Sequence, residues 1–525
     1  MERDIDMAKK YLLGIDIGSS AVKTTLITTG GDFVATASRE YTTYYPQVAW
    51  AEQDPEDWIK AFREDFKEIL CKTGVKPSDI VAVAPDAATH TSVLMDNEFN
   101  VLRKAILWTD QRSRKESAFL HGAYGQRIFE LAYHRPDPMW TMCQLLWVKN
   151  NQPDIWNKIR KILFAKDYFR YRLTGEFVTD RIDALGSMFL NAKTGAWSQE
   201  LCDMIGLPID TLPPVVEPVK VIGAVTSAGA RDTGLAEGTL VVAGTSDTAL
   251  EVFAAGAVRT GQSTIKLATS GRICVITDRA FPNPMLVNYY HLVDGKWYPG
   301  TGTKACATSF RWYRDTFGDY EELISKDEPG ADSYRLLDEA AGDIGVGCDG
   351  LFYHPYLLGE LTPYMNPLLK ASFTGISSHH TKAHFTRAVL EGTAYSLGDC
   401  LNTLRTIGLQ VENARIIGGG AKSTLWRQIV ADVLGIELSM PELSDSSFGA
   451  AMLAGVGIGA FSGFEQAADQ CVRIKFKTSP NMENHAVYQK FFIVYKQIQS
   501  QLEPVYNKLA EMMEELKENS CSNNG

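Results

Sequence analysis

Tyr11-Leu-Leu-Gly-Ile-Asp-Ile-Gly-Ser-Ser-Ala-Val-Lys-Thr-Thr-Leu-Ile27 reads as a strand, a tight polar turn and a returning strand. The apolar run from Tyr11 to Ile15 has the length and character of a buried strand. It ends in Asp16, followed at once by Gly18, Ser19 and Ser20. The second run, Val22 to Ile27, carries Lys23 at its start. Small residues at the turn let backbone N–H groups approach an anion closely. A carboxylate at the end of the first strand suits a metal held through water, and a lysine just past the turn suits a phosphate. An ordinary hairpin with a polar tip has the same local pattern, so this stretch alone leaves both readings open.

A second stretch repeats the pattern about half a chain away. Thr264-Ile-Lys-Leu-Ala-Thr-Ser-Gly-Arg-Ile-Cys-Val-Ile276 is again a strand, a small-residue turn and a strand. The pairing predicts two related domains, each giving one loop to a shared phosphate site.

The bounds agree. A chain of 525 residues is too long for one ordinary core, so two large domains are expected. Its 45% hydrophobic and 22% charged residues are those of a soluble globular protein. A net charge of −11 argues against nucleic acid as a partner. No apolar run approaches the roughly 20 residues that span a bilayer, which predicts no membrane association. The first ten residues are charged and lack the apolar core of a signal peptide, and nine scattered cysteines without a Cys-x-x-Cys pair fit reduced thiols. A cytoplasmic location is expected.

Along the first half, Asp54-Pro55 followed by Glu56 and Asp57 predicts a helix start. Ile80 to Ala84 is a buried strand running into Pro85-Asp-Ala-Ala-Thr-His-Thr91, with Ser92 to Met95 returning. His90 and Thr91 therefore stand in a loop at a strand end, where α/β folds commonly bind ligands. A lone loop histidine is otherwise expected to be exposed. Ala105 to Arg112 is an apolar strand carrying Trp108 and Asp110. Trp140 to Asn151, Ile155 to Ile162 and Ala165 to Gly175 read as helices, and Asp180 and Asp183 lie in a polar stretch after them.

At the junction, Leu240 to Ala243 is an apolar strand that enters Gly244-Thr-Ser-Asp247 before an apolar helix. An Asp at that turn is well placed as a general base for a hydroxyl. By local sequence alone a helix cap is the favoured reading, since Asp, Ser and Thr before a helix are standard caps. In the second half, Thr381 to Leu404 is a long amphipathic helix, and Gly418-Gly-Gly-Ala-Lys-Ser-Thr424 joins a strand to a helix. Three glycines there permit close approach of a flat or anionic ligand. His485 to Glu518 reads as amphipathic helix interrupted at Pro504.

These pieces, in this order, resemble the FGGY carbohydrate kinases, and among them the xylulokinase branch. The resemblance runs from Tyr11 to about Leu453. It rests on the opening Gly-Ile-Asp-Ile-Gly-Ser-Ser-Ala-Val-Lys, on Trp50-Ala-Glu-Gln-Asp-Pro55, on Ala105 to Arg112, and on Lys166-Asp-Tyr-x-Arg-x-Arg-Leu-Thr-Gly-Glu-Phe177. Its most specific match is Ala371 to Glu391, including His384 and Phe385. The resemblance implies an α/β fold of two ribonuclease-H-like (actin/sugar-kinase type) domains with a cleft between them. The division falls at 1–257, with the sugar site, first phosphate loop and base, and 258–525, with the ATP site. By position, Asp247 matches the family's base and Asp16 the acid that orients Mg2+. Ser19, Ser20 and Lys23 match the first phosphate loop, and Thr269, Ser270 and Gly271 the second. Gly419, Gly420 and Ser423 match the adenosine side. His90 matches a histidine of the sugar loop, with Thr91, Trp108 and Asp110 near it.

The implied activity is transfer of the γ-phosphate of ATP to a hydroxyl of a small ketose, D-xylulose first, with ATP and Mg2+ as cofactors and a homodimer allowed. Three departures from the xylulokinase pattern stand out. Ala87-Ala-Thr-His-Thr91 replaces Gly-Gln-Met-His-Gly, Thr248 replaces Asn after the base, and Leu361 replaces Arg in Gly-Glu-Arg. They keep another ketose or a polyol (ribulose, L-xylulose, erythritol, glycerol) open as acceptor. A non-catalytic sensor on the same fold is the alternative from a different class.

Overall fold

Two mixed sheets of one plan carry the chain in a computed structural model that describes residues 10–327 and 332–522. In the first sheet β1 (Tyr11–Ile17), β2 (Ala21–Thr28) and β3 (Phe33–Glu40) are antiparallel neighbours, and β4 (Ile80–Ala87) lies parallel to β1. The edge strand β5 (Val221–Ala224) is antiparallel to β6 (Leu240–Val242), which lies parallel to β4. The short β7 (Thr245–Ser246) continues along β4. The second sheet repeats this. Strands β8 (Ser263–Leu267), β9 (Gly271–Val275) and β10 (Gly300–Thr303) are antiparallel, and β11 (Asn413–Ile417) is parallel to β8. Next come β12 (Glu437–Pro441), parallel to β11, and an antiparallel edge strand, β13 (Ile474–Thr478). Each sheet thus has three antiparallel strands, two parallel ones and an antiparallel edge, which is the duplicated ribonuclease-H-like plan.

The central strand β1 is buried on both faces, as its near-continuous apolar sequence requires. Because side chains alternate along a strand, Leu13, Ile15 and Ile17 share one face. They join a core with Trp58, Phe62, Phe66 and Ile69 of the helix Pro55–Thr73. That helix starts where the sequence signals it. Asp54 accepts from the Glu56 amide at 3.1 Å, Pro55 follows, and Gly74 closes the helix in the left-handed region at φ 69°. Leu12, Gly14 and Asp16 share the other face, which the helix Ser446–Gly457 covers. A Cβ on Gly14 would lie 1.9 Å from the Ser447 carbonyl oxygen and 2.3 Å from the Ala451 nitrogen. Only glycine lets the two backbones approach this closely.

That contact divides the chain differently from a single cut at 257/258. One compact unit takes the chain up to Thr260 together with Ile276–Tyr298 and Leu443–Arg473. The other takes Gly261–Val275, Pro299–Glu442 and the chain from Ile474 on. Small residues in Ser446–Gly457 fit the first sheet and draw a late segment into the earlier unit. Three local expectations are also corrected. The segment 155–162 is a helix only over Pro153–Trp156. Lys161–Phe164 is a strand, because it pairs with Ser92–Met95. The apolar strand expected over 105–112 is confined to Ala105–Ile106. The C-terminal helix runs unbroken as Met482–Ser522, with Pro504 inside it. Among the described residues no helix is long and apolar enough to cross a membrane.

Gly14→Ala forces the helix Ser446–Gly457 off the sheet. It is expected to destabilise the first unit by about 3 kcal/mol or more, at or above the upper end of ordinary overpacking. Urea unfolding followed by tryptophan fluorescence reads this as a lower midpoint, and an unchanged midpoint contradicts the packing.

Candidate active site

Three carboxylates converge at the ends of neighbouring strands in the first unit. Asp16 and Asp86 stand side by side in the parallel pairing of β1 with β4, and Thr245 pairs with Asp86, so Asp247 follows two residues beyond. Among the described residues Asp16 Oδ1 and both oxygens of Asp86 are buried without a well-formed hydrogen bond, and the two carboxyls face each other with Ser446 beside them. Burial, and then the charge of Asp247, pushes Asp16 up to about 7. Asp86 is raised well above the carboxylate range by burial and then by Asp16 and Asp247. Unpaired buried carboxylate oxygens are costly unless a proton or a cation meets them. The pair therefore fits a hard cation. No group of three or more His, Cys, Asp or Glu encloses a metal among the described residues. Magnesium does not need such a cage, since it keeps waters and takes one or two carboxylates plus phosphates.

Asp247 opens the helix Asp247–Ala254, but the cap position belongs to Ser246. Its Oδ1 accepts from the Thr248 amide at 2.6 Å, from Thr248 Oγ1 at 3.3 Å and from Thr89 Oγ1 at 3.3 Å. Three donors on one oxygen fix the carboxylate, and among the described residues none of these bonds engages Oδ2. The turn before it depends on Gly244, at φ 76°, where a Cβ would lie 1.9 Å from the Pro85 carbonyl oxygen.

The turn of Gly18, Ser19 and Ser20 is held from below. Gly18 N–H donates to the Ala21 carbonyl at 3.0 Å, and the Tyr41 hydroxyl donates to the Gly18 carbonyl. Gln53 Nε2 donates to the Ser19 carbonyl at 2.8 Å, and its own Oε1 accepts from Trp58 Nε1 at 3.0 Å. Ser19 and Ser20 remain exposed. Lys23 lies opposite Asp16 in the hairpin register and pairs with Asp445 at 3.2 Å. Asp445 caps the helix Ser446–Gly457. The lysine therefore reaches a carboxylate from the second half of the sequence, which the local reading did not include.

The loop with His90 is not exposed. His90 is 1% accessible, in the left-handed region at φ 54°. Its N–H donates to Asp183 Oδ1 at 2.8 Å and its carbonyl accepts from Thr141 Oγ1 at 2.7 Å. The ring packs on Trp140 at 4.8 Å between centroids. Burial pushes the imidazole down to about 3, so it is neutral at working pH. Among the described residues His90 Nδ1 and Thr91 Oγ1 are buried without a hydrogen-bond partner. Trp108 is half-exposed, and its Nε1 donates to Ser19 Oγ at 3.0 Å. It thus reaches the turn of Gly18, Ser19 and Ser20. Asp110 is otherwise engaged. Its carboxylate takes Arg112 at 2.8 Å and 2.9 Å and the Ala51 amide at 2.6 Å, and Arg112 stacks on Trp50 at 3.8 Å. This is a scaffold role.

In the second unit Thr269 and Ser270 form an exposed turn, their carbonyls accepting from Cys306 and Ala268 at 3.1 and 3.3 Å. Gly271 stands where a Cβ would lie 2.7 Å from Thr303 Cγ2. Gly419 has open space around it, while Gly420 packs against Trp426. Ser423 Oγ caps the helix Thr424–Leu434 by accepting from the Trp426 amide at 2.9 Å. Asp338, pushed up to about 6 by burial, lies beside Ser423 and was not singled out from sequence. Glu360 is buried, accepting from Thr303 Oγ1 at 2.5 Å and from the Leu361 amide at 2.6 Å, and burial pushes it up to about 7. Leu361 beside it is 36% accessible. Sequence reasoning also passed over Asp86, Thr89 and Gln53. The Pro85-Asp86 pair at the end of an apolar run was the available signal for the first.

Residues 11–254 match the FGGY family of carbohydrate kinases, N-terminal domain, and residues 257–458 match its C-terminal domain. The chain is 33% identical over 494 residues to a xylulose kinase of Bacillus subtilis, covering 93% of this chain and 96% of that one. It is 29% identical over 515 residues to a gluconokinase of Bacillus licheniformis, covering 96% and 99%. The crystal structure of xylulose kinase from Rhodospirillum rubrum superposes with a TM-score of 0.85 at 29% identity, covering 95% of this chain and all of that one.

The buried neutral His90 has a pH signature. Its folded value lies below its unfolded one, so the unfolded chain binds more protons between about 6.5 and 3, and this group's stability is lost as pH falls through that window. At pH 5 the loss is about 2 kcal/mol. In His90→Gln that loss is absent, so the fall in Tm between pH 7.5 and 5 is expected to be smaller than in wild type. An equal fall contradicts a buried neutral imidazole.

Proposed function

Because the chain belongs to the FGGY family of carbohydrate kinases and is an ATP-dependent sugar kinase, we propose that it phosphorylates a hydroxyl of a small ketose, D-xylulose first, with Asp247 as the base. The observation that carries this reading is the saturation of Asp247 Oδ1 by Thr89 and Thr248, which leaves Oδ2 to accept a proton. As the acceptor oxygen bonds to the γ-phosphorus, its proton passes to Oδ2 and the bridging P–O bond to ADP breaks. Phosphoryl transfer asks the protein for position and charge neutralisation more than for covalent chemistry. Asp16 and Asp86 would hold magnesium, which when bound neutralises charge on the phosphates.

Ser19, Ser20 and Lys23 in the first unit, with Thr269, Ser270 and Gly271 in the second, are the proposed phosphate donors. Gly419 and Gly420 are the proposed adenosine contacts, with Ser423 anchoring the helix behind them. His90, Thr91 and Trp108 form the proposed acceptor side. A neutral, buried His90 can hydrogen-bond a sugar hydroxyl without adding charge. Thr89 and Thr248, both bonded to the base, favour a second reading in which the acceptor is another ketose or polyol. The gluconokinase relative keeps that reading in view.

A coupled ADP-release assay with Mg-ATP and D-xylulose, L-xylulose, D- and L-ribulose, erythritol, xylitol, glycerol and gluconate tests this. Turnover concentrated on D-xylulose is expected, and preference for another acceptor assigns specificity to Thr89 and Thr248. Asp247→Ala is expected to lower kcat about a thousandfold or more with nucleotide affinity kept. Silence on every acceptor contradicts the assignment of a small ketose as substrate.

A further inference from the structure

The motif Lys166 to Phe177, which none of the proposed ligand contacts uses, encloses a buried charge cluster. Lys166 Nζ lies 2.6 Å from Asp167 Oδ1, 2.8 Å from Asp180 Oδ2 and 3.1 Å from Asp183 Oδ2. Arg170 adds a contact to Asp167 at 3.0 Å, and the side chains of all five are 0 or 1% accessible. Far from lying in a polar stretch, Asp180 and Asp183 are inside the first unit. Lys166 donates a hydrogen bond to Asp167 and meets Asp180 and Asp183 as ion pairs, so one buried ammonium faces three carboxylates. Burial of charge at this scale is weak evidence for stability and is better understood as fixing one geometry among several.

What the cluster fixes can be read from its outward bonds. Asp180 caps the short helix Arg181–Gly186 and accepts from Thr245 Oγ1 at 2.7 Å. Thr245 stands two residues before Asp247, on the strand that continues along β4. Asp183, in the same helix, accepts from the His90 amide at 2.8 Å. At the end of that helix a Cβ on Gly186 would lie 2.9 Å from Thr89 Cγ2 and 3.2 Å from His90 Cδ2. One six-residue helix therefore touches the turn that carries the base, the backbone of the histidine and the side chain of Thr89. His90 needs such support, since its φ of 54° is unfavourable for a residue with a Cβ.

We infer that the helix Arg181–Gly186, anchored by Lys166, is a positioning platform that sets the distance between His90 and Asp247, with Thr245, Asp183 and Gly186 as its positioning residues. The inference rests on the reading of Asp247 as base and His90 as acceptor contact. None of the three touches the reacting atoms in this account. They act because a displacement of about an ångström at the reacting groups costs about a hundredfold in rate.

Lys166→Met would strand buried carboxylates and unfold the unit, so gentler variants decide. Thr245→Val keeps shape and removes the hydroxyl. It is expected to lower kcat about tenfold with both KM values within about twofold, and Thr245→Ser to restore the rate. Gly186→Ala pushes on Thr89 and His90 and is expected to raise the acceptor KM about tenfold with the ATP KM unchanged. It decides alone should Thr245→Val not fold by near-UV circular dichroism. Asp247→Ala and His90→Ala run beside them. If both of these are impaired while folded Thr245→Val and Gly186→Ala behave as wild type, the platform is overturned and the base assignment stands. If Asp247→Ala turns over normally, the underlying reading has failed instead. Equal losses in Thr245→Val and Thr245→Ser, or a change in the ATP KM as large as in the acceptor KM, also overturn the platform.

Discussion

Asp16 and Asp86 are held side by side at the ends of two parallel strands, and Asp247 follows the short strand that pairs with Asp86. Like charges at close quarters in a buried place repel, and their first response is to keep a proton, as the raised values of Asp16 and Asp86 express. The surroundings tell the three apart. Among the described residues Asp16 and Asp86 have buried oxygens that chiefly face each other, which a cation would relieve. Asp247 has three donors on one oxygen among the described residues, which leaves the other oxygen facing a ligand. The proposed metal-holding pair and the proposed proton acceptor thus differ by environment and not by residue type.

Keeping these groups in place takes more of the chain than their neighbours in sequence. Gly14 admits the helix Ser446–Gly457 onto the back of β1, and the cap of that helix, Asp445, meets Lys23. Gly244 lets the base-bearing turn pass against Pro85. Tyr41, Gln53 and Trp108 hold the turn of Gly18, Ser19 and Ser20 by its carbonyls and by Ser19 Oγ, with both serines exposed. Two of the threonines that depart from the xylulokinase pattern, Thr89 and Thr248, are bonded to Asp247 itself. The third departure, Leu361, stands beside a buried Glu360 in the other unit.

Much of this was legible in the sequence, for physical reasons. Both hairpins declare themselves by apolar runs broken by small polar turns, and both pair as expected. The helix at Pro55 carries its own start signals. What local sequence cannot carry is burial set by distant partners. His90 reads as an exposed loop residue until Asp183, Thr141 and Trp140 surround it. Asp180 and Asp183 look like solvated loop acids until Lys166 meets them. Lys161–Phe164 continues an apolar pattern that fits helix or strand, and its pairing with Ser92–Met95 decides for strand. Asp110 matches a ligand position by sequence, yet Arg112, two residues on, occupies its carboxylate.

The central claim is the division of labour among the three aspartates, and a crystal structure with the acceptor sugar, magnesium and a non-hydrolysable ATP analogue tests it most directly. The account predicts the reacting hydroxyl within hydrogen-bond distance of Asp247 Oδ2, with Thr89 and Thr248 still on Oδ1 and the cation on the side of Asp16 and Asp86. A cation on Asp247, or an acceptor hydroxyl bonded to Asp86 with Asp247 turned away, would contradict it.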